Sequence, residues 1–163
     1  MSITALLLLP LSLAFTPEQK AREIPTSISL ERTYCFGTCP VYTATIERSG
    51  KIHYHGEANV QNMGNVETQT SPRDFERLAA AIRRIGFESF ASKYTSNYTD
   101  QTSVITTVKW AKRTKEVENY GMNGPDSLWE LEEMIDGVVL GSVESQIVRD
   151  RPLSAVKPKT GAK

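Results

Sequence analysis

Val41-Tyr42-Thr43-Ala44-Thr45-Ile46-Glu47-Arg48-Ser49-Gly50-Lys51-Ile52-His53-Tyr54-His55-Gly56 is the stretch that decides how this chain folds. Both arms are rich in Thr, Tyr, Ile and Val, residue types that suit a half-buried pleated surface, and Arg48-Ser49-Gly50 divides them. A two-residue turn at Ser49-Gly50 would set Ile46 opposite His53 and Ala44 opposite His55, mixing polar and apolar groups on both faces. A three-residue loop with Gly50 in the left-handed conformation instead pairs Ile46 with Ile52, Ala44 with Tyr54, Glu47 with Lys51, Thr45 with His53 and Thr43 with His55. Side chains alternate along a strand, so only this register separates the faces, and a one-residue slip would undo it. The three-residue hairpin is therefore predicted. Tyr42, Ala44, Ile46, Ile52 and Tyr54 form its apolar face; Thr43, Thr45, Glu47, Lys51, His53 and His55 form its polar one.

Upstream, Ile28-Ser29-Leu30-Glu31-Arg32-Thr33 alternates and predicts another strand, and Tyr34 to Pro40 is a compact loop holding both cysteines. Downstream, Asn65 to Thr70 is a weaker strand. Ser71-Pro72-Arg73-Asp74 then announces a helix, with a capping Ser, Pro at the first helical position and an acid in the first turn. Phe75, Leu78, Ala79, Ile82 and Ile85 follow at helical spacing, and Gly86 ends the run with Phe87 placed for a terminal apolar contact. Residues 88–101 form an aromatic, polar connection. Ser103 to Trp110 and Lys115 to Tyr120 read as a second hairpin around Lys112-Arg113. A second helix opens at Gly124-Pro125-Asp126. Its expected buried stripe is Leu128, Leu131, Ile135 and Val138, with Asp126, Glu130, Glu132, Glu133 and Asp136 facing water. Gly141 ends or kinks it, or Ser142 to Asp150 continues it. The expectation is a single α+β domain over residues 26–140, with one antiparallel sheet of five to six strands and both helices on one face, in the order β-β-β-(β)-α-β-β-α.

The flanks are different in kind. Ala5 to Phe15 is the longest apolar run, too short for a membrane span of about 20 residues. It matches the core of a secretory signal, with Ser12-Leu13-Ala14 supplying the small residues a signal peptidase reads. Residues 1–14 are expected to be a signal peptide, 15–25 a flexible leader and 141–163 a mostly disordered basic tail. With no Cys closely following the run, no lipid anchor is expected, and the product should be periplasmic or secreted. The 163 residues carry 19 Lys+Arg and 19 Asp+Glu, a formal charge of zero. That balance excludes a general nucleic-acid or anionic-membrane binder, which needs a clustered positive excess.

Cys35-Phe36-Gly37-Thr38-Cys39-Pro40-Val41-Tyr42, followed by Ser49-Gly50-Lys51-Ile52-His53-Tyr54-His55-Gly56, resembles the domain-of-unknown-function family 6438, an uncharacterised bacterial group. Thr99-Asp100 and the Pro125-to-Asp136 helix are similar to that family's later landmarks. The resemblance covers about residues 26–140 and implies a small exported bacterial domain. It implies no activity.

Several residues carry candidate chemistry. Cys35 and Cys39 are four apart around a central Gly, within reach of the roughly 4.4–6.8 Å Cα separation a disulfide needs. A structural disulfide is the leading reading in an oxidising envelope. A redox thiol pair and a reduced or metal-linked pair stand beside it, although no helix follows the loop to lower a thiolate pKa. His53, His55 and Glu57 share one strand face by period two, and such a set can present two imidazoles and a carboxylate to a metal. No fourth ligand is visible, so the leading reading is a solvated sheet face and no metal or other cofactor is expected. Nucleophilic hydrolysis is disfavoured, since both His sit on one strand and no Gly-x-Ser-x-Gly elbow occurs. Asp100, close after Tyr94 and Tyr98, suits a cation or sugar, or simply caps a turn. The functional expectation is a non-catalytic binding module that meets an envelope protein or small molecule through Thr43, Thr45, His53, His55, Glu57, Asp100 and the Cys loop. An envelope metal-dependent enzyme at His53 and His55 and a thiol oxidoreductase are the alternatives.

Overall fold

In the computed structural model, residues 23–150 are described. The predicted signal segment, most of the leader and the tail beyond Asp150 lie outside them. Strand β1 is Ser27–Arg32, β2 is Val41–Glu47 and β3 is Lys51–Ala58. The hairpin has the three-residue register: Thr43 faces His55, Ala44 faces Tyr54, Thr45 faces His53 and Ile46 faces Ile52. Gly50 sits at φ +88°, and a Cβ there would meet the Thr70 carbonyl oxygen at 2.6 Å, so the turn needs glycine on two counts. Tyr42, Ala44, Ile46, Ile52 and Tyr54 are all buried, while Thr43 and His55 are exposed and Thr45 and His53 half-buried. The assignment of faces holds.

Strand β4, Gly64–Gln69, pairs with β3, and helix α1, Pro72–Arg84, follows. The Ser71 hydroxyl accepts from the Asp74 amide at 3.2 Å, which caps the first turn. Phe75, Leu78, Ala79, Ala81 and Ile82 turn inward, and Gly86, at φ +65°, ends the helix so that Phe87 can enter the core. Strand β5 is Lys93–Tyr94, β6 is Ser103–Lys109, β7 is Thr114–Tyr120 and helix α2 is Asp126–Asp150. The strands form one sheet in the order β4-β3-β2-β1-β6-β7-β5.

Three expectations are corrected. The sheet has seven strands and is mixed, because β5 runs parallel to β7. Two residues cannot show a period in sequence; tertiary contacts create this strand, through the Glu118 amide donating to the Ser92 carbonyl at 3.0 Å and an ion pair between Lys93 and Glu118 at 2.8 Å. The second correction concerns the boundaries. Helix α2 continues through Gly141 to Asp150 and buries Val143, so the folded unit extends ten residues past 140. At the other end Pro25 is buried, Ile24 packs on the core and Glu23 pairs with Arg113, so residues 23–25 belong to the domain rather than to a loose leader. Thirdly, the inward stripe of α2 is Leu128, Leu131, Glu132, Ile135, Asp136, Val139 and Val143. Glu132 and Asp136 do not face water, for they find polar partners on the sheet beneath.

Both helices cover one face of the sheet. β4 and β5 are opposite edges, and α1 lies in the connection between them, so that connection must cross the whole sheet. Ile28, Leu30, Val104, Val108 and Val117 join the buried hairpin residues and both helical stripes in a single core cluster. The other face of the sheet has no cover among the described elements.

Candidate functional site: the disulfide-closed loop end

The open face carries most of the residues singled out from sequence, and they are occupied with one another. The His53 ring lies 3.1 Å through Nε2 from Glu47 and 3.3 Å through Nδ1 from Glu67, whose carboxylate also meets Lys51 at 3.1 Å. Hydrogen bonding and charge from Lys51 hold the Glu67 carboxyl below its ordinary range. His55 Nδ1 is 2.7 Å from the Asn65 side-chain oxygen, and the hydroxyls of Ser29 and Thr45 are 2.9 Å apart. Thr43 stands beside His55 in the ladder. This is a cross-strand ladder of exposed pairs. Among the described residues, no group of three or more His, Cys, Asp or Glu is placed to hold a metal ion.

Glu57 and Asp100 lie elsewhere, at the end of the sheet where β1, β3 and β7 finish. Four connections meet there: residues 33–40, 59–63, 95–102 and 121–125. Cys35 and Cys39 are disulfide-bonded, with Cα atoms 5.9 Å apart, which closes the first of them. The Asn59 side-chain amide donates to the Cys39 carbonyl at 3.1 Å, and the Phe36 amide donates to the Asp100 carbonyl at 3.0 Å. Asn123 donates to the Thr95 carbonyl at 2.7 Å, and the Tyr34 hydroxyl to Glu57 at 3.2 Å. The four loops are thereby tied into one surface.

Its composition is unusual for this chain. Those four segments contain a single charged residue, Asp100, in a sequence with 38 Asp, Glu, Lys and Arg (19 and 19). They also carry five of the eight exposed large apolar side chains among the described residues: Tyr34, Phe36, Met63, Tyr98 and Met122. Phe36, at the apex of the disulfide loop, is 90% exposed. All three non-glycine residues with positive φ among the described residues, Asn59, Asp100 and Met122, are here as well. Asn and Asp tolerate that conformation; Met does not do so readily, so its backbone is held by its surroundings. Sequence reading had found the Cys loop, and Asp100 close to Tyr98, but had not joined the two to each other or to Met63 and Met122. An uncharged composition shared by four separate loops was the available signal.

Beneath this end lies a buried polar network on the covered face. Arg32 Nε donates to Asp136 at 3.0 and 3.3 Å, its Nη2 also reaches Asp136, and the Tyr42 hydroxyl donates to the same carboxylate. Burial works against the Arg32 charge, but the bonds and field of Asp136 outweigh it and raise its pKa. Burial, then the Asp136 charge, pushes the Tyr42 hydroxyl upward too. Asn119 and Glu132 complete the network, both with no exposed surface. Period two puts Arg32 on the side of Ile28 and Leu30 and Asn119 on the side of Val117, whereas their partners across the interface leave no such local signal.

A seven-stranded mixed sheet backed by two helices, with a disulfide-closed loop at one end, defines a small α+β domain. The chain belongs to the family described as a domain of unknown function, DUF6438, whose model matches residues 26–139. No curated protein matches it in sequence. Among the described residues, no helix is long and apolar enough to cross a membrane.

Proposed function

We propose that this chain is an exported, non-catalytic binding module whose contact surface is the loop end, centred on Phe36. The carrying observation is an aromatic ring left 90% exposed on a loop that a disulfide has already closed. A loop closed by a disulfide has less backbone freedom to lose on binding, and aromatic anchors dominate the energetics of contact surfaces. The neighbouring rings, the scarcity of charge and the strained backbone at Met122 support the same reading. Glu57 and Asp100 stay within the proposed surface. Thr43, Thr45, His53 and His55 are placed outside its centre, because their polar groups are largely engaged within the ladder. The closed Cys pair supports an oxidising compartment.

The test compares two variant sets against wild type, using an immobilised chain and an envelope extract. Phe36→Ala with Tyr98→Ala should keep the wild-type Tm and lose the ligand that wild type retains. His53→Ala with His55→Ala should keep both Tm and ligand. The opposite pattern would move the contact surface to the sheet face. Intact mass of the mature protein tests export, with the leader removed and the Cys35–Cys39 bond closed as the expected result.

A further inference from the structure

Glu132 is a fully buried carboxyl whose only hydrogen-bond donor among the described residues is the side-chain amide of Asn119, at 3.0 and 3.3 Å. The polar groups around it come from four elements. β1 supplies Arg32, β2 Tyr42 and β7 Asn119, while α2 itself adds Glu133 and Asp136. Arg32 is committed elsewhere: it is forked onto Asp136 and lies 3.6 Å from Glu133. Tyr42 also gives its proton to Asp136. An ionised Glu132 would therefore be a buried charge with no cation of its own. Burial pushes this carboxyl up to about 7, against the opposing pull of Asn119 and Arg32.

Asn119 connects that carboxyl to the loop end. Its amide nitrogen serves Glu132, and its oxygen accepts from the Gly124 amide at 2.8 Å. Gly124 is pressed tightly in place, for a Cβ there would lie 2.9 Å from Leu128 and 3.0 Å from the Asn119 oxygen. From this loop, Asn123 reaches the Thr95 carbonyl, and the Gly121 amide donates to the Thr102 carbonyl at 2.9 Å. The 95–102 segment in turn receives the Phe36 amide at Asp100. A chain of contacts runs from the buried carboxyl to the exposed ring.

We propose that Glu132 is a proton-operated latch on the loop end. Uncharged, it lets Asn119 and the first turns of α2 hold residues 121–125 against the sheet. Ionised, it favours states in which α2 lifts and water reaches the carboxylate, releasing Gly124 and the segments bonded to it. Its consequence for binding rests on the loop-end reading; the latch itself does not.

Amide hydrogen exchange on the full chain tests it without any ligand. In wild type, protection of the Gly124 amide, corrected for the intrinsic pH dependence of exchange, should fall as pH rises between about 4.5 and 7. The slope should approach about tenfold per pH unit, since opening returns the carboxyl to its ordinary value. In Glu132→Gln the protection should be independent of pH over that range. A flat wild-type profile, or the same slope in Glu132→Gln, would overturn the latch. Should that variant not fold, the carboxyl carbon of Glu132 can be titrated by NMR in the wild-type chain. A midpoint near 7, shared by the Gly124 amide shift, supports the latch; a midpoint in the ordinary glutamate range overturns it. Loss of ligand in Phe36→Ala answers the separate question of binding.

Discussion

Both faces of the sheet pair basic side chains with carboxylates, yet the two sets have different physical weight. On the covered face, Tyr42 is buried and Arg32 and Asp136 are largely covered between sheet and helix, where water replaces a lost partner poorly. On the open face, Glu47, His53, Glu67 and Lys51 form a ladder that solvent can enter at every rung. Exposed pairs lose in screening and side-chain entropy most of what they gain in attraction. Buried pairs are costly to assemble and more costly to break. The difference teaches that the conspicuous histidines decorate the sheet, while two inconspicuous acids on α2 orient the helix upon it.

Breaking the buried set should have the largest effect. Asp136→Ala leaves the Arg32 guanidinium without its principal counter-charge and should cost about 3–5 kcal/mol in urea unfolding. A loss within the range of an ordinary surface change would put both faces in one class. The second effect is pH dependence. The Glu132 carboxyl is raised from 4.5 to about 7 in the folded chain, so the folded state holds the proton more tightly than the unfolded state. Its contribution to stability is complete below about 4.5, declines by roughly 1.4 kcal/mol per pH unit through the interval and is gone above about 7. Subtracting the Glu132→Gln profile from wild type isolates this decline from the two histidines.

A third variant sharpens the comparison from the opposite direction. The Thr106 hydroxyl is buried on the covered face with no hydrogen-bond partner among the described residues. Thr106→Val keeps the shape and removes the unmatched group, and should raise stability by about 1 kcal/mol. The smallest effect belongs to the ladder. His53→Ala should change unfolding free energy by no more than about 0.5 kcal/mol, and salt should shrink that difference further. A large loss would mean that the open face is structurally engaged.

Much of the fold was legible because it depends on short-range rules. The Ser71 cap, the Gly86 stop and the hairpin register each follow from residues within one turn or one strand pair. The seventh strand was not legible, since Lys93–Tyr94 is held by β7 and not by its own pattern. The acids of α2 were misplaced for a related reason. Charged residues at positions 132 and 136 read as a wet face unless Asn119 and Arg32 are known to stand opposite them. The candidate site was half legible: its disulfide loop is local, but Met63, Tyr98 and Met122 come from three other connections.

By itself, the order of residues determined the hairpin register, the caps and the greasy sides of the hairpin and of α1, because backbone geometry and alternation act between near neighbours. Only the tertiary structure decided which polar groups go inside and which loops meet. Those outcomes depend on partners far apart along the chain, and a buried charge is tolerable only once the packing has brought its partner to it.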